Sequence, residues 1–401
     1  MINCPVEYWI WLQTSLGAGA RTDEILAYFE TPEKLYLAGS KEWRLSGLFT
    51  QKKIEALKST TPSQTGEILG ECRKKGYTII TPDSPLFPDR LKNLSNMPLV
   101  LYGVGDCTAL KDSVSIGMVG TRNASVYGIE TAQKLSFRLA SAGVTIVSGG
   151  ALGIDSEAHA GAMLANGRTL AFLGCGLSYD YLKENASLRR AIARHGAVVS
   201  EYPPFSPPGR RTFPIRNRLI SGASLGVVVV EAGVKSGSLI TADCALEQGR
   251  DVFAVPGDII RSSFDGTNHL IKNGAKPVFS AEDILAEYEY TYGDLFDIEK
   301  AREPLSSLAY VDYRKGKKKK AEPIPEKKEK IEEKPIEKKQ LGDEVGENAK
   351  LVYSVLSQDE THIDDIVRKT NLKMNIALAS LTELELFGYV ELVSGKKYKI
   401  K

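Results

Sequence analysis

Between Val114 and His159 the chain reads VSIGMVGTRNASVYGIETAQKLSFRLASAGVTIVSGGALGIDSEAH. This is an apolar run, a glycine turn, an amphipathic stretch, a second apolar run, and a second glycine turn opening onto another helical stretch. The alternation continues. Strands are expected at 114–119, 144–147, 168–173, 197–200, 225–230 and 251–255, with helices at 126–142, 153–166 and 238–248 between them. Right-handed crossovers then make the fold α/β, a doubly wound, mostly parallel sheet. Both glycine turns fall at its carboxyl edge, where backbone N–H groups and helix N-termini converge on an anion.

Which anion is a question of charge and of the loop residues. With 52 basic and 50 acidic side chains the formal charge is only +2, so any basic site must be local. The five cysteines (Cys4, Cys72, Cys107, Cys175 and Cys244) form no CxxC pair, and with four histidines they give neither a disulfide nor a zinc framework. A reducing cytoplasm fits this usage. No targeting segment and no apolar run of about 18 residues is read, so no membrane span is expected.

The flanks differ from the sheet. Residues 1–65 carry helical signals at 7–16, 21–29, 32–37 and 52–57, with Thr22 as an expected N-cap. The glycine turn in SLGAGARTDEILAYF resembles half of a helix-hairpin-helix, which can hold a DNA phosphate on backbone amides; a small helical packing module is the other reading. The core is expected over 66–290, where YTIIT and a proline-rich run add a strand or two to the sheet. Residues 291–346 read as a charged linker, most clearly in RKGKKKKAEPIPEKKEKIEEKPIEKK, whose composition favours a solvated tether. Residues 347–401 scan as three helices and a hairpin turning at SGKK, the order of a winged helix. Its recognition helix carries Glu383 and Glu385 and few basic residues, so protein contact is as good a reading as major-groove binding.

Four loops carry the chemistry. In the first, Gly120, Thr121 and Arg122 follow the strand, but the GxGxxG fingerprint and its acidic partner are missing, which disfavours NAD. Arg122 stands where a guanidinium clamps a phosphate, or else makes a surface salt bridge. In the second, Ser148, Gly149 and Gly150 allow close backbone approach, and Asp155 and His159 follow one helical turn apart. That pair suits general acid/base work or, the favoured reading, the shaping of the loop. The third, FPIRNRLISGAS, sets Arg216, Asn217 and Arg218 at a helix start, with Arg210, Arg211, Phe205 and Phe213 nearby: guanidinium forks for phosphates and rings for bases. The fourth, GVKSGS, places Lys235, Ser236, Gly237 and Ser238 at a strand end. The four together favour polyanion binding over catalysis, with no metal, no cofactor and no catalytic residue assigned.

These motifs resemble the bacterial DNA processing protein A (DprA, or Smf) family. VGTRNASVYG, SGGALGID followed by AH, LGCGLSYDY, SEYPP, FPIRNRLISG, VVVVEAGVKSGSLITADCALEQGR, VFAVPG and GTNHLIKNGA occur in that family's order over roughly residues 80 to 280. The resemblance implies a Rossmann-like core with an all-α SAM-like N-terminal domain and a winged-helix C-terminal domain. It also implies a homodimer that binds single-stranded DNA and loads RecA recombinase onto it in natural transformation. Phosphate contacts would fall on Gly120, Thr121, Arg122, Ser148, Gly149, Gly150, Arg216, Asn217, Arg218 and the 235–238 loop. The GTNHLI segment would lie near the dimer and RecA surface. The alternative is a LOG-type hydrolase that cleaves the N-glycosidic bond of a nucleoside monophosphate. Its PGGxGTxxE pattern is not matched by EAGVKSGSLITADCALE. A winged-helix regulator with a nucleotide-sensing core is disfavoured by the acidic recognition helix.

Overall fold

The computed structural model describes residues 4–311, 341–342, 345–357, 361–393 and 397–400. They fall into two compact units, one within residues 1–317 and one within 318–401. The first is built on nine strands: β1 (Thr78–Ile80), β2 (Leu101–Gly105), β3 (Ser115–Val119), β4 (Thr145–Ser148), β5 (Thr169–Leu173), β6 (Gly196–Ser200), β7 (Gly226–Val229), β8 (Asp251–Ala254) and β9 (Lys276–Pro277). Their order is β1-β2-β6-β5-β4-β3-β7-β8-β9. All neighbours from β6 to β9 pair parallel, while β2 joins β6 and β1 joins β2 antiparallel.

Every residue of β3 to β7 is buried. Helices cover both faces of a parallel sheet, so its strands read as unbroken apolar runs. Alternate residues serve opposite cores. Ile116 and Met118 meet Leu135, Leu139, Ala158 and Ala162 on one face. Val119, Val227 and Val229 meet Leu219, Ile220, Ala242 and Ala245 on the other. The chain enters the parallel sheet at β3, winds outward through β4, β5 and β6, and returns to β7 on the other side of β3. That reversal opens a crevice between the carboxyl ends of β3 and β7, the usual seat of a ligand in such sheets.

The N-terminal helices Val6–Leu16, Asp23–Phe29, Pro32–Leu45 and Gln51–Ser59 share a core of Trp11, Phe29, Leu35, Trp43 and Leu57 with Val100 and Tyr102 at β2. They therefore belong to the same compact unit as the sheet. Two local expectations need correction. The helix read at 32–37 continues to Leu45 past a kink at Gly39, and Thr22 makes no side-chain cap, whereas Thr31 and Thr50 do.

Within the stretch read as a charged linker, residues 291–311 are held on the sheet's helical layer. Phe296 and Ala301 are buried in it. Arg138 pairs with Glu303 and donates to Ser307 Oγ (2.5 Å), and Gln133 exchanges two hydrogen bonds with the Val311 backbone (2.9 and 2.8 Å). The lysine- and glutamate-rich run at 312–340 lies outside the described residues.

The second unit packs helices Glu347–Val355, Ile363–Thr370 and Met374–Leu386 on a small antiparallel sheet of β10 (Thr361–His362), β11 (Val390–Val393) and β12 (Lys397–Ile400), in the order β10-β12-β11. This is a winged helix; most of its SGKK turn lies outside the described residues. Glu383 is only half-exposed and accepts the Gly346 N–H (2.7 Å) at the head of the first of these helices, so it serves the fold while Glu385 faces solvent. Among the described residues no helix is long and apolar enough to cross a membrane, and no cluster of His, Cys, Asp and Glu could hold a metal.

Candidate nucleic-acid interface

A cavity of about 330 Å³ occupies the crevice between β3 and β7. It gathers Gly120, Thr121 and Arg122 from the loop after β3, Ser236, Gly237 and Ser238 from the loop after β7, Arg216 and Asn217 from the helix Thr212–Gly222, and Asp155. Of the residues singled out in the sequence, Ser148, Gly149, Gly150, Arg218, Lys235 and His159 do not line it.

Arg122 is exposed at its rim and lies over the Phe213 ring, 5.2 Å from Cζ to the centroid. Phe213 in turn packs against Tyr181 at 5.5 Å. A guanidinium on an aromatic face, backed by a second ring, offers a base a plane to stack on and a phosphate a charged fork. The contribution of Tyr181 could be read in the sequence only as part of LGCGLSYDY, because its partner lies thirty-odd residues away.

The first loop is held by Glu231 at the end of β7. Its backbone oxygen accepts the Thr121 N–H (2.7 Å), and its buried carboxylate accepts both the N–H and the hydroxyl of Ser125 (2.9 and 2.8 Å). Ser125 caps the helix Val126–Ser141 through the Gly128 N–H (3.1 Å). Gly128 is required there, since a Cβ would run into the Glu231 carboxylate. In a dinucleotide-binding sheet that helix N-terminus takes the pyrophosphate. Here a carboxylate of the chain already stands at it.

The second loop is turned inward. Ser148 Oγ donates to the Met118 carbonyl (2.6 Å), and the Gly149 and Ala151 N–H groups both donate to Asp155 Oδ2 (3.2 and 3.3 Å). Arg216, only 4% exposed, donates through Nη1 to the Gly149 carbonyl (2.6 Å) and to that of Phe172. Gly149 leaves the space that this guanidinium fills. Arg216 Nη1 thus ties loop two to the end of β5, while the side chain lines the floor of the cavity. Burial raises the Asp155 pKa against the opposing Arg216 charge, and draws Arg216 below its ordinary value.

His159 is fully buried and hydrogen-bonded through Nδ1 to Thr169 Oγ1 (2.7 Å), whose own proton goes to the Ile146 carbonyl (2.8 Å). Burial, then the Arg216 charge, pushes its pKa from 6.5 down to about 3. The folded ring stays neutral through a window in which the unfolded ring takes a proton, so stability falls as pH drops from 6.5 toward 3, by at most about 1.4 kcal/mol per pH unit. Urea unfolding between pH 7 and pH 5 should show His159→Gln losing less stability than the parent; parallel curves would refute the assignment.

Arg218 and the fourth loop complete the set. Arg218, also 4% exposed, donates Nη2 to both oxygens of buried Glu201 (2.7 and 2.6 Å). It faces the seam with the N-terminal helices, where Gly19 N–H reaches the same carboxylate (3.2 Å), and it lies outside the lining of this cavity. Ser236 caps the helix Gly237–Glu247, and Asn217 Nδ2 donates to the Gly237 carbonyl (3.2 Å), placing that helix N-terminus at the cavity wall. Lys235 is exposed beside it.

Comparison with known proteins agrees with this architecture. The family model described as DNA recombination-mediator protein A matches residues 78–289, and that of the DprA winged helix domain matches residues 337–396. Protein Smf of Synechocystis is 32% identical over 421 residues, spanning 100% of both chains. DNA processing protein DprA of Bacillus subtilis is 44% identical over 220 residues, 55% of this chain and 74% of that one. The X-ray structure of DNA processing protein A from Streptococcus pneumoniae superposes with a TM-score of 0.62 at 33% identity, covering 70% of this chain and 97% of that one. The chain belongs to the DNA processing protein A (DprA/Smf) family.

Proposed function

We propose that this protein binds single-stranded DNA in the β3/β7 crevice without chemical turnover and acts as a recombination mediator. The observation that carries the reading is Arg122 stacked on Phe213 at the rim of a cavity floored by Arg216 and walled by a helix N-terminus. Phosphates meet cation and backbone dipole there, and bases meet rings. The acid/base alternative finds no support in the geometry: Asp155 is engaged by two backbone N–H groups, and His159 is neutral and bonded to Thr169. Glu231, the carboxylate at the head of the run compared with LOG-type hydrolases, is 1% exposed and bonded to Ser125, which weighs against that chemistry.

The family's description as a DNA recombination mediator supports the further reading that a cytoplasmic homodimer loads RecA onto incoming strands during transformation. The helix Asp265–Lys272, from GTNHLIKNGA, is the surface proposed for self-association and RecA. Anisotropy with a fluorescent oligo-dT of about 15 nucleotides tests the DNA reading. Arg122→Ala and Phe213→Ala should each cost about 1–3 kcal/mol, roughly 5- to 150-fold in affinity, with little change in unfolding midpoint. Undiminished binding in both variants would sink the proposal.

A further inference from the structure

A second cavity, of about 630 Å³, opens at the seam between the N-terminal helices and the sheet. Arg21, Arg90, Arg218 and Arg250 line it, and Glu247 is the one carboxylate in its wall. Arg218 is held by buried Glu201, yet its Nε and Nη1 have no hydrogen-bond partner among the described residues, and neither does Nε of Arg250. Arg90 is fixed by the Asp112 and Ser113 carbonyls and Ser115 Oγ. Among the described residues, Arg21, Arg90 and Arg250 have no carboxylate within ion-pair distance.

Four guanidinium groups around one recess outnumber the carboxylates beside them, Glu201 on Arg218, Glu247 in the wall and Asp251 near Arg250, and repel one another unless an anion sits among them. Buried N–H groups without acceptors add to that cost. Asn93 and Asn96 supply further polar groups, while no aromatic ring lines the cavity to stack a base. The chemistry is that of a phosphate rather than a nucleobase. Pro214 borders this cavity and the first one alike, so the two lie on adjoining sides of the start of the Thr212–Gly222 helix.

We propose that this seam cavity, where Arg21, Arg90, Arg218 and Arg250 converge, is a second anion site that takes a phosphate group. The phosphate comes either from a strand that continues past Pro214 out of the first cavity or from a free phosphate ester. The strand source rests on the function proposed above; the site itself does not.

The test uses the full chain, the Arg21→Gln/Arg250→Gln variant, and Arg21→Gln alone, whose exposed side chain can be removed without endangering the fold. Inorganic phosphate at about tenfold its dissociation constant should raise the parent's melting temperature by about 2–4 °C over chloride at equal ionic strength. That shift should be lost in the double variant and reduced in Arg21→Gln. Equal shifts in all three overturn the site. Oligo-dT then separates the sources. If the strand supplies the phosphate, the double variant binds an oligomer of about 15 nucleotides more weakly and its salt slope falls by about 0.7, the value for one lost single-strand phosphate contact. An oligomer of about four nucleotides, confined to the first cavity, should be unaffected. A lost phosphate shift with both oligomers unchanged supports the site and assigns it to a free phosphate ester. Undiminished DNA binding in both Arg122→Ala and Phe213→Ala would overturn the function proposed above and leave the phosphate shift untouched.

Discussion

Arg216→Ala should unfold at a much lower urea concentration than the parent, a loss of about 3–5 kcal/mol, and should lose single-strand binding with it. The guanidinium is 4% exposed and supplies the donor for the Gly149 and Phe172 carbonyls, so its removal orphans two acceptors and leaves Asp155 buried without its nearby cation. Gly149 would face an empty volume, and the loop carrying Ser148 to Ala151 would lose its attachment to β5. Arg216→Lys retains charge and one donor centre and should recover part of both losses. The diagnostic contrast is with Arg122→Ala, which should weaken binding at nearly constant stability. An Arg216→Ala chain with an unchanged midpoint and abolished binding would mean that the guanidinium serves the ligand and not the loop.

Glu201→Ala should be comparably destabilising, by about 3–5 kcal/mol, because it strands the Arg218 cation in a site where both partners are almost wholly buried. The same carboxylate holds Gly19, and the Glu201 carbonyl accepts from Gln13, whose side chain also bridges both backbone groups of Val100. Losing the carboxylate therefore also releases Gly19 from the seam, while the Gln13 bonds to the Glu201 carbonyl and to Val100 are kept. The double change Glu201→Leu/Arg218→Met should restore most of the stability, since a buried pair replaced as a unit leaves no uncompensated charge. Equal Tm values for Glu201→Ala and parent would show that the Arg218 cation does not depend on this carboxylate in the fold.

The strands from β3 to β8 were legible almost residue for residue. Ile116, Met118 and Val119, or Val227 to Val229, are apolar on both faces because helices cover both, and a short unbroken apolar run that ends in a glycine turn is the pattern such a strand leaves. The winged helix was legible for a different reason, the order of its amphipathic helices and hairpin. What escaped was pairing at a distance. Arg216 and Arg218 look alike in FPIRNR, and a solvent-facing fork differs from a buried strut only in whether Gly149, Phe172 and Glu201 arrive beside it. Likewise Phe296 and Ala301 lie in a charged stretch whose local composition argues against burial, and packing on the helical layer overrides it.

The Glu231 carboxylate at the head of the Val126–Ser141 helix has a consequence for selection among cellular solutes. Sheets of this kind ordinarily offer that helix terminus to nucleotide cofactors, which are abundant and would hold it nearly all the time. By lodging its own anion there, the chain repels those competitors by like charge and by lack of space.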